Sequence, residues 1–457
     1  MILNKTFFKT YKVPILLVLS CVLFYFTFAY NLKRTDTPKL IMLYTALFVL
    51  FFQLLKMLKH NLQLLTWIAF GFRVIFLLAI PNLSQDFYRF IWDGRLILEN
   101  INPYLHPVEY YIKSGISPIA QAQELYNGMG VLNGSHYSNY TPVNQLLFAL
   151  AAILGGKTII GSVMAMRIFI IAADFGTLYF GKKLLEGLKI PVYNIFFYIL
   201  NPFIIIELTG NLHFEGVMIF FLVWSLHLLF QEKWKLAALV LALSISVKLI
   251  PLIFLPLYFQ WFTKHKKWSY WNGIKKLMLF YFIVFAVVLS SFITFYFSGF
   301  TNIYLDTVGL WFQRFEFNAS LYYLAREIGY AISGYNKITA IGKGIIGIVF
   351  IAVLAMAFLR KSKTIPQLIT TMLLALSFYY FTATTMHPWY ISSLLLLSVY
   401  TNYKFPLIWS FTVILSYLAY NNTNNSENFW VLVLEYAIVY GVFIWEVFIK
   451  KTTKKVA

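Results

Sequence analysis

The stretch SQDFYRFIWDGRLILE, Ser84 to Glu99, carries Asp86, Arg89, Asp93, Arg95 and Glu99 directly after an apolar run. If a helix runs through it, Arg89 lies one turn and Asp93 two turns beyond Asp86. Such a set has two uses: an interfacial salt-bridge network that anchors a helix end, or a catalytic carboxylate with cations beside it. Further polar residues come from distant segments: Asn211, His213 and Glu215 in GNLHFEG, Lys248 in SVKLIP, Arg314, Glu316 and Asn318 in FQRFEFNAS, and His387 in TMHPWY. Lys248 stands between two short apolar segments and ahead of Pro251, as at a broken helix. There it either snorkels to headgroups or offers a cation to a phosphate or pyrophosphate. Arg314 and Arg326 admit the same two readings. His213 and Glu215, two apart, do not face each other on a regular helix, so with His387 they could hold a metal only if the fold brings them together. Asp174 follows Arg167 by two turns on the same face, which predicts a structural ion pair between them inside a bundle. Trp92, Trp311 and Trp389 each adjoin a polar cluster and are candidate sugar or lipid contacts, whereas most of the other aromatics suit packing and membrane interfaces.

The elements that must position these residues are apolar. Of 457 residues, 60% are hydrophobic and only 12% charged, so most segments cannot be the half-polar elements of a soluble domain. About fourteen apolar segments can be read, taking ~20 residues per span and allowing shorter ones where helices meet partway. They predict an all-α polytopic membrane protein, one transmembrane domain over residues 1–457. Cys21 is the lone cysteine, so no internal disulfide and no Cys-based metal site can form.

Placing the N-terminus in the cytoplasm gives every loop a side. Lys56 and Lys59, Lys182, Lys183 and Lys189, Lys233 and Lys235, the cluster from Lys264 to Lys276, Arg360 to Lys363, Lys404 and the tail from Lys450 to Lys455 then fall inside, with the C-terminus. Lys33 and Arg34, on a short outer loop, are the exception. The net charge of +20 is thus mostly topological, and nucleic acid is not expected as a partner. The same assignment puts residues 81–145, the longest connection, outside. A connection of that length tends to be functional, and 143–154 within it is read as lying at the outer face. The polar residues named above gather at this one face.

In order, the chain carries D-F-Y-R-F-I-W-D-G-R (Asp86–Arg95), N-P-Y (Asn102–Tyr104), Y-T-P (Tyr140–Pro142), Asp174, N-P (Asn201–Pro202), G-N-x-H-x-E (Gly210–Glu215), K-x-x-P (Lys248–Pro251) and H-P-W-Y (His387–Tyr390). This series resembles the GT-C glycosyltransferases, in particular bacterial polyprenyl-phosphate-mannose-dependent mannosyltransferases and, more distantly, the first mannosyltransferase of GPI-anchor synthesis. The resemblance implies a GT-C-like helical bundle whose long first outer loop is catalytic. It also implies transfer of a hexose, mannose by preference, from a polyprenyl-phosphate donor to a hydroxyl of a glycan or glycolipid acceptor, on the extracytoplasmic side and with inversion. Asp86 would be the base. Lys248, with Arg89 or Arg314, would bind the donor phosphate, and Asp93, Arg95, Asn211, His213, Glu215 and His387 would position sugar or acceptor. Eukaryotic relatives often carry D-x-D where this chain has Ser84-Gln85-Asp86. A single carboxylate suits a base better than a divalent-metal clamp, so a divalent metal is possible but not favoured and no other cofactor is assigned.

Two alternatives stay open. A polytopic transporter or flippase of lipid-linked sugars would also break helices, though it would place polar groups near the midplane. A GT-C enzyme for glucose, arabinose or aminoarabinose would share these motifs. Lys-over-Arg usage, many asparagines and the bacterial resemblance favour a bacterial plasma membrane, while an endoplasmic reticulum enzyme would have the same topology.

Overall fold

The computed structural model describes residues 5–313, 315–422, 424 and 426–450, without the side chains of 5–10 and 311–313. Arg314, the Trp311 side chain and Lys451, Lys454 and Lys455 lie outside the described residues. Among the described residues, seven helices are long and apolar enough to cross a membrane, an eighth if Val192–Ile199 and Pro202–Gly210 are one bent span, and seven shorter apolar helices accompany them. The chain is a polytopic all-α membrane protein. Each apolar segment read from the sequence has its helix, and Pro142–Gly155 is one more. The outer faces of the long helices stay apolar, with Phe282, Leu289, Ile351 and Leu359 exposed. Such faces suit hydrocarbon and not water.

Helix starts follow local chemistry. Asn61 accepts from the Leu64 amide at 3.0 Å, Thr158 from Gly161 at 3.1 Å and Asn428 from Trp430 at 2.9 Å, each supplying an acceptor that a first turn lacks. Two breaks shape the site. After Val247 the backbone turns extended at Lys248, and Ile250–Tyr258 continues as a 3-10 helix holding Pro251 and Pro256. Prolines that donate no amide hydrogen bond prevent a regular α-helix there. The second break is the π-helix Ile205–Gly210, followed by Leu212 at φ 62°, a left-handed conformation costly for leucine. It turns the chain sharply into the helix Glu215–Phe230.

The helix Asp86–Leu98 packs closely on Pro142–Gly155. At Gly94 a Cβ would stand 2.3 Å from the Phe148 carbonyl oxygen, so only glycine lets the two backbones approach. Phe90 and Phe148 stack beside it with centroids 4.6 Å apart. Buried charge is paired deeper in the bundle, but not as the spacing predicts. Asp174 receives Arg73 Nε at 2.7 Å, both side chains fully buried. Arg167 instead donates to the carbonyls of Leu77, Thr209 and Gly210 at 2.8–3.0 Å. Two helical turns separate Arg167 and Asp174 by ~10 Å along the axis, too far for a direct pair, so each takes a partner from a neighbouring element.

Candidate active site

Asp86 is the first residue of its helix, and the segment before it is tied down from several sides. Asn82 donates to the carbonyls of Phe28 and Leu32 at 2.7 and 3.1 Å, and the Leu83 amide donates to Asn211 Oδ1 at 3.2 Å. The Asp86 amide donates to Ser84 Oγ at 3.3 Å, and Gln85 donates to the Met129 carbonyl at 2.8 Å. Asn211 also donates to Glu207 Oε2 at 3.4 Å, so it couples this segment to the π-helix. Burial pushes the Asp86 carboxyl up to about 6, with Lys248 and Arg34 acting the other way.

The Lys248 break is held by Val247, whose carbonyl accepts from Thr141 Oγ1 at 2.6 Å and Asn144 Nδ2 at 2.8 Å. Lys248 Nζ lies 3.0 Å from Glu215 Oε1, and Glu215 is fully buried in the first turn of its helix. His213 lies against Trp389 with centroids 3.8 Å apart, and His387 against the same indole at 4.5 Å. Burial, then the nearby Lys248 charge, pushes the His387 imidazole down to about 3, so it is neutral and the local cation is the lysine. Next to His387 the backbone is fixed by a bridge between Phe317 and Thr385, with the Met386 amide donating to the Phe317 carbonyl at 2.7 Å, and the Phe317 ring lies 5.3 Å from the His387 ring.

Of these groups, Asp86, Lys248, His387 and Trp389 face a cavity of about 1090 Å³. Its lining includes Arg34, Asp86, Arg89, Lys248, Glu316, His387 and Trp389. It also includes an apolar set from two elements packed on each other, Leu249, Leu252, Ile253 and Pro256 of the 3-10 segment and Ile345, Ile346, Val349 and Val353 of Ile338–Leu359. The cavity therefore offers an amphiphile a charged head site and an apolar trough that begins right after Lys248.

Not every residue named from the sequence reaches it. Asp93 is fully buried, with Arg89 Nε at 2.8 Å, Ser138 Oγ at 2.5 Å and Gln145 Nε2 at 3.0 Å donating to its carboxylate. Arg95 donates to the Ala120 carbonyl at 2.6 Å and to Gln121 Oε1 at 3.2 and 3.3 Å. Neither lines the cavity; they order residues 120–145, Arg89 reaching on to the carbonyls of Asn133 and His136. Asn211, His213 and Glu215 stand behind the wall, touching residues that line it. Trp92 is buried by Tyr111, away from the cavity. Among the described residues, no group of three or more His, Cys, Asp or Glu could hold a metal ion. Arg34, which the sequence marks only as the exception to the charge bias, also lines the cavity.

Comparison with known proteins gives two findings. The family described as alpha-(1->6)-mannopyranosyltransferase, N-terminal domain, matches residues 26–263, about half of the chain. Alpha-(1->6)-mannopyranosyltransferase A of Mycobacterium tuberculosis is 20% identical over 217 residues, which cover 43% of this chain and 40% of that relative. The match thus spans less than half the length of the relative.

Proposed function

The chain belongs to the alpha-(1->6)-mannopyranosyltransferase family, and on that premise we propose that it is a membrane glycosyltransferase transferring mannose from a polyprenyl-phosphate donor to an acceptor hydroxyl. The observation that carries this reading is one cavity lined both by charged groups and by an apolar trough, with Lys248 directly preceding the trough's first residue, Leu249. A prenyl chain laid along Leu252, Ile253 and Val349 would bring its phosphate to that lysine. The core, continuous from Cys21 to Val439, supports taking the chain as one membrane unit. The lysine-rich loops support cytoplasmic termini, with the site on the extracytoplasmic face of a bacterial plasma membrane.

In the proposed step the acceptor hydroxyl gives its proton to the Asp86 carboxylate while its oxygen attacks the anomeric carbon. The bond from that carbon to the phosphate oxygen breaks, and the electron pair leaves with the phosphate, whose added charge Lys248 meets. In-line attack inverts the anomeric carbon, so a β-linked donor gives an α-linked product. Arg89, held by Asp93, orders the loop 133–138 over the cavity and adds positive potential. His387 and Trp389 offer a neutral, flat surface to the sugar, and His213, Asn211 and Glu215 hold that surface, the Asp86 segment and Lys248 in place.

The test is reconstitution of wild type and Asp86→Asn with polyprenyl-phosphate [³H]mannose and a mannoside acceptor. Label reaching the acceptor with wild type, and lost in a folded Asp86→Asn, is the expected result. Equal transfer by both removes Asp86 from the mechanism. Absence of transfer from mannose, glucose and arabinose donors alike would overturn the reading in favour of transport.

A further inference from the structure

Most charged groups on the cavity wall have a counter-ion. Arg89 has Asp93 at 2.8 Å, Lys248 has Glu215 at 3.0 Å, and Glu316 has Arg326 at 2.8 Å. Asp86 and Arg34 remain, and neither has an ion-pair partner within 4.0 Å among the described residues. Arg34 lies in the turn between the helices Lys5–Asn31 and Thr37–Leu58 and is half-buried at the cavity wall. Its guanidinium carbon stands 4.0 Å from the centroid of the Tyr420 ring, and Nη1 donates to the Leu83 carbonyl at 3.3 Å. That carbonyl and ring anchor the group while leaving Nε and Nη2 without a protein acceptor among the described residues. An anchored planar fork with free N–H groups is suited to an oxyanion.

The two cations are held by different elements. Lys248 packs on Glu215 and Tyr140 and opens the apolar trough. Arg34 packs on Leu83 and Tyr420, beside Tyr417, on the wall formed by the first outer turn and the Val413–Asn421 helix. Both charges act on the Asp86 carboxyl. A donor whose tail fills the trough puts its phosphate at Lys248. Arg34 is then left for the molecule that approaches Asp86 from the Arg34 side, and in a base-assisted transfer that molecule is the acceptor.

We propose that Arg34, seated on Tyr420, forms an acceptor-side anion subsite, so that the preferred acceptor is a glycolipid bearing a phosphate near the hydroxyl that is glycosylated. This rests on the glycosyl-transfer reading of the same cavity. The subsite aligns that hydroxyl with Asp86, and it keeps the acceptor anion away from the Lys248 site needed by the donor.

The test compares two acceptors, a mannosyl diacylglycerol and the same lipid carrying glycerophosphate on its mannose, with full-length protein in phosphatidylcholine nanodiscs. Binding is read by tryptophan fluorescence and transfer by kcat/KM. Wild type is expected to prefer the glycerophosphate lipid about tenfold or more in both readouts, with the preference weakening as salt rises. Arg34→Gln collapses the preference toward unity. Arg34→Lys, which keeps the charge and loses the planar fork, retains part of it and guards against a folding artefact. A wild type without preference, or an Arg34→Gln that keeps it, overturns the subsite. Arg34-dependent binding preference with no transfer to either lipid sinks the transfer reading and leaves the anion site standing.

Discussion

Lys248→Met separates the chemical from the structural work of one residue. Lys248 Nζ is 3.0 Å from Glu215 Oε1, with the lysine side chain 25% exposed and the glutamate fully buried. At an effective dielectric of 20 the attraction is about 5 kcal/mol. Part of it offsets desolvation of the pair, and the partly wet lysine is screened, so removing it alone costs about 3 kcal/mol by stranding Glu215. At ~2.1 cal/mol/K per residue, the unfolding entropy of a chain this size gives a fall in Tm of about 3 °C. With Lys248 in the proposed role of meeting the leaving phosphate, its loss is expected to lower kcat about 100-fold or more. Adding Glu215→Gln removes the stranded charge. The double variant is therefore expected to regain most of the Tm and none of the transfer, read by thermal unfolding in detergent alongside the [³H]mannose assay. Recovery of transfer in the double variant, or a Lys248→Met within about threefold of wild type, would refute the role given to this lysine.

As the proposed base, Asp86 accepts a proton only when ionised, and burial pushes its carboxyl up to about 6, so kcat/KM should fall tenfold per pH unit below that point and level off above it. Because the Arg34 charge favours the ionised form, Arg34→Gln moves this limb to higher pH; a limb near pH 4 in wild type contradicts a buried base. Arg73→Met strands a buried Asp174 at a cost of about 3–5 kcal/mol, and Asp174→Asn in the same chain should restore much of the lost Tm. At Gly94 an added methyl meets the Phe148 backbone, whereas at Gly71 it meets nothing within 4 Å. Gly94→Ala should therefore lower folded yield sharply while Gly71→Ala leaves it near wild type or slightly raised; similar yields from the two would contradict the close packing of Asp86–Leu98 on Pro142–Gly155.

Membrane class, the apolar segments and the break at Lys248 are determined by the sequence, because span length, scarcity of charge and proline placement act locally along the chain. The cluster Asp86–Arg95 is equally visible, and so is its helical register, which yields the Arg89–Asp93 pair. Pairing between elements is decided only in three dimensions. Asp174 takes Arg73 because of how Leu62–Ile75 and Ile159–Gly187 are rotated against each other, and no spacing within one helix encodes that rotation. Glu215 meets Lys248, and His213 meets Trp389, across a turn whose direction depends on a π-helix and a left-handed leucine. Asp93 and Arg95 share a helix with Asp86, yet their contacts turn them toward the loop, since a helix presents its residues to different neighbours around its circumference. Arg34 shows the same division: its charge stands out in the sequence, but its place on Tyr420, 386 positions along the chain, exists only in the folded bundle.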